Sequence, residues 1–145
     1  MKADVSSGDN PRSHSLGAFS PLFATGNYFG VLPDTGPGTV NFIDVHPRLQ
    51  MNLPRGVSIS TDLVVQWRES LTDGVYAIDG SLLVPAGSSR ARFVGYRPGV
   101  EVRWQIDRHA WFQADYGVFF AGEFLKQASP GRNINYIEFW AGYKF

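Results

Sequence analysis

The sequence predicts an all-β fold: an antiparallel, up-and-down sheet of the transmembrane β-barrel kind, of which this chain is a C-terminal fragment of about five to six strands. Three observations predict it. Apolar and polar residues alternate with a period of two along several segments, which sorts them onto opposite faces of a strand. Those segments run to about 11 to 14 residues, whereas soluble strands are usually about 5 to 6 and a tilted membrane span needs about 9 to 11. The connections alternate short and long, as expected of a barrel with tight turns at one rim and large loops at the other.

The elements follow in order. Lys2 to Val5 reads as the end of an earlier strand, ahead of a long extracellular loop at 7–40. From Ile43 to Leu53, the residues Ile43, Val45, Pro47, Leu49, Met51 and Leu53 oppose Asp44, His46, Arg48, Gln50 and Asn52, and Pro54-Arg55-Gly56 then makes a tight turn. From Val57 to Trp67, Val57, Ile59, Thr61, Leu63, Val65 and Trp67 oppose Ser58, Ser60, Asp62, Val64, Gln66 and Arg68, with Thr61 and Val64 as mild exceptions. After a loop at 71–91, Val100, Val102, Trp104 and Ile106 oppose Glu101, Arg103 and Gln105, and Pro98-Gly99 predicts a bulge or bend. Asp107-Arg108-His109 is the second tight turn. Beyond it Phe112, Ala114, Tyr116, Val118 and Phe120 oppose Gln113, Asp115 and Gly117. A loop at 123–134 precedes the last strand, in which Ile137, Phe139, Ala141, Tyr143 and Phe145 oppose Glu138, Gly142 and Lys144, with Trp140 on the polar face. Residues 1–145 thus read as part of one barrel domain, with five strands over 41–145. Aromatics near strand ends, Trp67, Trp104, Phe112, Tyr143 and Phe145, suit interfacial girdles.

Composition narrows the alternatives. The chain has no cysteine, which removes disulfide frameworks and thiolate metal sites, and its 13 basic residues balance 13 acidic ones, which argues against a nucleic-acid partner. No stretch reaches the roughly 18 to 20 apolar residues of a membrane helix. The opening Met1-Lys2-Ala3-Asp4 has no apolar core, so an exported protein starting here would be a fragment of a longer one. A soluble carbohydrate-binding β-sandwich is the ordinary expectation at this length, but strand length and connection asymmetry favour the membrane. No catalytic constellation appears: His14, His46 and His109 lie on separate segments without ligand spacing. Ser7-Gly8-Asp9, Asp34 and Asp73 read as turn chemistry rather than calcium ligands. No metal, cofactor or enzymatic activity is expected.

Specific words in the sequence carry a resemblance. Ser6-Ser7-Gly8-Asp9, Phe19-Ser20-Pro21-Leu22-Phe23, Tyr28-Phe29-Gly30 and Asn41 come first. Trp67-Arg68-Glu69-Ser70, Asp73-Gly74-Val75-Tyr76, Arg92-Phe93-Val94-Gly95 and Phe119-Phe120-Ala121-Gly122-Glu123-Phe124-Leu125 follow. Their order and spacing, closed by Tyr143-Lys144-Phe145, resemble the C-terminal part of alginate export family proteins over nearly the whole chain. The resemblance implies a bacterial outer-membrane channel passing an anionic polysaccharide such as alginate, monomeric at full length and surrounded by lipid. A general porin-like barrel is the alternative. The ending also resembles the terminal strand read by the barrel assembly machinery, with Tyr143 and Phe145 as the signal.

The inner face then holds the candidates. Arg48, Arg68 and Arg103 are the residues expected to touch a sugar carboxylate, with Asp62 and Asp115 as ion-pair partners. Closure of the hairpin at Pro54-Arg55-Gly56 brings Arg48 opposite Asp62, and the next turn is expected to pair Arg103 with Asp115. Scaffold ion pairing is favoured over direct substrate contact, because the inner charges of the two signs nearly cancel.

Overall fold

The computed structural model describes residues 1–10, 17–20 and 37–145. The strands in chain order are β1 (Lys2–Ser6), β2 (Phe42–His46), β3 (Arg48–Leu53), β4 (Val57–Trp67), β5 (Val75–Tyr76), β6 (Leu82–Val84), β7 (Phe93–Gln105), β8 (Ala110–Ala121) and β9 (Ile134–Tyr143), with one short helix, α1 (Glu123–Ala128), before β9. All strands but β5 and β6 join one antiparallel sheet in the order β1-β2-β4-β7-β8-β9, with β3 also on β4. Each long strand therefore lies beside its neighbour in sequence, as an up-and-down meander requires. The sheet is open among the described residues.

β2 and β3 are one strand divided at Pro47. Both meet β4 in a single register, with Val45 opposite Val65 and Arg48 opposite Asp62. Proline has no N–H to give the ladder, so the expected strand over 43–53 is present but interrupted. Leu63, between the two pieces, donates to the Pro47 carbonyl at 3.1 Å and on its other side faces Pro98 of β7. The expected bend at Pro98-Gly99 falls elsewhere in the β4–β7 ladder: that ladder runs unbroken from Val57 through Pro98, and the register slips between Gln66 and Trp67, opposite Gly95 and Phe93. Gly95, beside the slip, has a φ of 157° that side-chain-bearing residues rarely adopt.

The tight turns have local causes. Arg55 and Gly56 adopt positive φ of 64° and 75°, and a Cβ on Gly56 would stand 2.5 Å from the Gln105 carbonyl oxygen. At the second turn the Asp107 carboxylate accepts the N–H groups of His109 and Ala110 at 2.7 and 2.8 Å, which holds it below the usual carboxylate range.

Burial runs opposite to that of a soluble sheet. The apolar row is in the open: Leu63, Val100, Val102, Phe112, Tyr116, Ile137 and Phe139 are all exposed. The polar row is covered: Ser60, Gln66, Arg97, Asp44 and Asp115 are buried. Among the described residues no second sheet packs on the apolar row, which is the arrangement a dry sandwich would need.

The loops hold structure that alternation did not foretell. β5 and β6 make a small hairpin inside 71–91, and α1 occupies the start of 123–134. Val75 of the hairpin and Phe124 of α1 join Val94, Phe119 and Ala121 in a buried apolar cluster. Phe119 and Ala121 share a face with Asp115, so this cluster caps the polar side of the sheet at its long-loop end.

Candidate functional site

The polar face is built from rungs running across neighbouring strands. One rung reads Arg48, Asp62, Gly99, Gly117, Tyr136 on β3, β4, β7, β8 and β9. Its two glycines matter because neither carries a side chain into the space above the sheet. A Cβ on Gly99 would stand 2.6 Å from Asp62 Oδ1 and 2.8 Å from an Arg97 guanidinium nitrogen, and the Tyr136 ring lies directly over Gly117. Long side chains from either side can thus lie flat and meet.

They form one network. Asp62 Oδ2 accepts from Arg97 at 3.2 Å and from His46 Nε2 at 3.1 Å, and Arg97 also donates to the Tyr136 hydroxyl at 2.8 Å. The chain of bonds links β2, β4, β7 and β9. It lies out of bulk water, with Arg97 4% exposed, and hydrogen bonds among such groups are strong because the local dielectric is low.

Toward the short turns the same face opens. Arg48, 44% exposed at its side chain, donates to Ser60 Oγ and Glu101 Oε1, both at 3.0 Å. Arg103 is exposed and stacks its guanidinium 4.9 Å from the Trp111 ring. Gln113 donates to Asp115 Oδ2 at 2.9 Å. Asp62 Oδ1, Asp115 Oδ1 and Asp44 Oδ2 have no protein partner among the described residues. The wall therefore presents two reachable guanidinium groups, while these three carboxylate oxygens are covered.

The expected pairs are rearranged. Arg48 stands in register with Asp62, but its guanidinium reaches Glu101 on the next rung while Asp62 belongs to Arg97 and His46. Arg103 stands opposite Gln113, not Asp115, whose partner in register is Glu101. Arg68 is fully buried at the long-loop end. Its Nε and both terminal nitrogens donate to the carbonyls of Ala91, Leu71, Asp73 and Ser89, with all five N–H groups taken, and the guanidinium lies 3.9 Å from the Phe124 ring. It has no donor to spare for a sugar and instead fixes the 71–91 loop. Alternation puts Arg97, Tyr136 and His46 on the polar face without singling them out as site residues, and the two facing glycines on the polar row were the sign of them.

Asn41, at φ 54°, works beside Arg68: its side chain donates to Ser70 and Gly74 carbonyls at 3.1 and 2.8 Å and accepts from Ser70 N–H at 2.6 Å. Asp73 accepts from Asp9 N–H and from the Tyr76 hydroxyl at 2.6 and 2.7 Å, which is turn and loop chemistry. At the chain's end Tyr143 and Phe145 are exposed, with ring centres 5.2 Å apart. His109 Nδ1 lies 2.8 Å from the Lys144 carbonyl. His14, Asp34 and the aromatic words from Pro21 to Gly30 lie outside the described residues. Among the described residues no group of three or more His, Asp or Glu is placed to hold a metal ion.

A family model described as alginate export matches residues 1–138. No curated protein and no solved structure matches the chain.

Proposed function

The chain belongs to the alginate export family, an outer-membrane family of transport rather than catalysis, and from that premise we propose that its sheet is a stretch of the wall of a bacterial outer-membrane channel that passes an anionic polysaccharide. The observation that carries this is the inverted burial: exposed Val100, Tyr116, Ile137 and Phe139 on one face, charged and buried Arg97, Asp44 and Asp115 on the other. Hydrocarbon outside and a hydrated polymer inside would satisfy both faces. Among the described residues β1 and β9 each have one partner in the sheet, and unpaired strand edges in lipid cost several kcal/mol per backbone group, so further strands complete the wall into a monomeric barrel. The exposed Tyr143 and Phe145 then serve the assembly machinery.

In this role Arg48 and Arg103 meet the sugar carboxylates, since both are exposed on the polar face. The test is single-channel conductance of the full-length protein in a planar bilayer. Polyuronate is expected to block the current at concentrations where a neutral glucan does not, and Arg48→Glu with Arg103→Glu should abolish that difference. Equal block by the two polymers in the wild type would reject polyanion passage. A general porin is the second reading, favoured by the mixed signs of the wall, where Arg48, Arg97 and Arg103 face Asp44, Asp62, Glu101, Asp115 and Glu138.

A further inference from the structure

The outer, apolar face carries a feature that passage of a polymer does not use. Near its long-loop end Tyr96 and Phe120, paired across β7 and β8, stack with ring centres 4.8 Å apart, and Phe93 lies beyond them toward Trp67 at 6.1 Å. These rings form one side of a cleft of about 470 Å³ whose other side is α1, through Glu123, Lys126 and Gln127. A volume of that order accepts a headgroup-sized ligand, being many times the roughly 30 Å³ of a water molecule.

The charges on the helical side are not equivalent. Glu123 accepts from Gln127 Nε2 at 2.9 Å, Gln127 Oε1 in turn accepts from Ser89 Oγ at 2.7 Å, and Asn133 Oδ1 accepts from the Ala121 N–H at 3.0 Å, so the one acid and both amides in the cleft are already engaged. The Lys126 ammonium has no hydrogen-bond or ion-pair partner among the described residues. A free cation stands over an aromatic shelf, at the height where the apolar face gives way to loops.

We propose that this cleft binds one phosphate-bearing lipid of the surrounding leaflet, with an acyl chain along Tyr96 and Phe120 and the phosphate on Lys126. The occupant is an amphiphile because the two halves of the cleft ask for different chemistry: the rings are satisfied by hydrocarbon and the ammonium by an anion. The inference rests on the membrane orientation proposed above.

The test is native mass spectrometry of the full-length protein in detergent, offered diphosphorylated lipid A or the same lipid with its phosphates removed. Wild type is expected to retain the phosphorylated form about tenfold better, the gain of one charge-assisted contact. Lys126→Glu should erase that preference, and Tyr96→Ala should weaken retention of both forms. Equal retention of the two lipids, an unchanged preference in Lys126→Glu, or full displacement by millimolar inorganic phosphate would each overturn the proposal. Heat-modifiable migration of the variants separates the two levels: a folded, detergent-requiring barrel without lipid preference defeats only the lipid site. A wild-type protein that stays soluble and monomeric without detergent defeats the membrane orientation as well.

Discussion

The Arg97 guanidinium donates to the Tyr136 hydroxyl at 2.8 Å, passing from β7 to β9 above a glycine on the strand between them. Two strands that share no ladder are thereby tied on the polar face. Arg97→Ala leaves the part-buried Asp62 with only His46 and is expected to cost about 3–5 kcal/mol, the range for breaking a largely buried charge pair. Tyr136→Phe removes one bond to a charged donor and should cost about 1.5–3 kcal/mol. Urea unfolding of the protein refolded in micelles measures both, and the double variant should fall short of the sum. Arg97→Ala proving no worse than Tyr136→Phe would sink the idea that Asp62 depends on it.

The facing assignment makes an asymmetric prediction. Val100→Arg puts a charge on the exposed apolar row and should destabilise the barrel by about 2–4 kcal/mol if it lies near the bilayer midplane. Gln66, which alternation puts on the polar face, is 5% exposed and leaves an arginine no room. Gln50, exposed on the polar face of β3, is the proper control and should accept arginine with little change. Equal costs at positions 100 and 50, read by the same unfolding assay, would contradict the facing.

Arg68 should act locally. Lysine offers three donors from a single nitrogen and cannot span four carbonyls, so Arg68→Lys leaves several of them unpaired at about 1–3 kcal/mol each. Hydrogen exchange in 71–91 is expected to rise by an order of magnitude or more while the amides of β7 and β8 keep their protection. Uniform loss across the sheet would show that Arg68 supports the wall itself.

Tyr76 predicts a late titration in the long-loop region. Burial first, then its hydrogen bond to Asp73 and that residue's charge, push the phenol from 10.0 up to about 12. A raised folded-state pKa means the fold favours the protonated form, so this contribution is complete below pH 10 and is lost as pH rises through about 12. The tyrosinate absorbance of wild type, minus that of Tyr76→Phe, should rise in that upper window, and Asp73→Asn should move the rise to lower pH. A difference spectrum titrating at the ordinary tyrosine pKa would refute the Asp73 contact.

The strands were legible because a strand with oil on one side and water on the other must alternate, and 57–67 does so almost without exception. Partners were less legible, because arginine is long enough to leave its own rung: Arg48 passes over Asp62 to Glu101. What decided the matter was the absence of side chains at Gly99 and Gly117, which opened a path for Arg97 and Tyr136. The β5–β6 hairpin and α1 escaped for a different reason. Strands of two and three residues hold no measurable period, and the six-residue helix begins after Gly122 without a side-chain cap. Arg68 continued the alternation of β4 by number, yet the loop that wraps it is fixed by carbonyls, which every residue has.

Pro47 and Pro98 both sit against Leu63, one on each side. Pro47 brings no amide hydrogen to its pair with Leu63, so the ladder on that side of β4 holds one bond fewer at this height. In the proposed channel, that missing bond lets the wall flex at the level of Leu63.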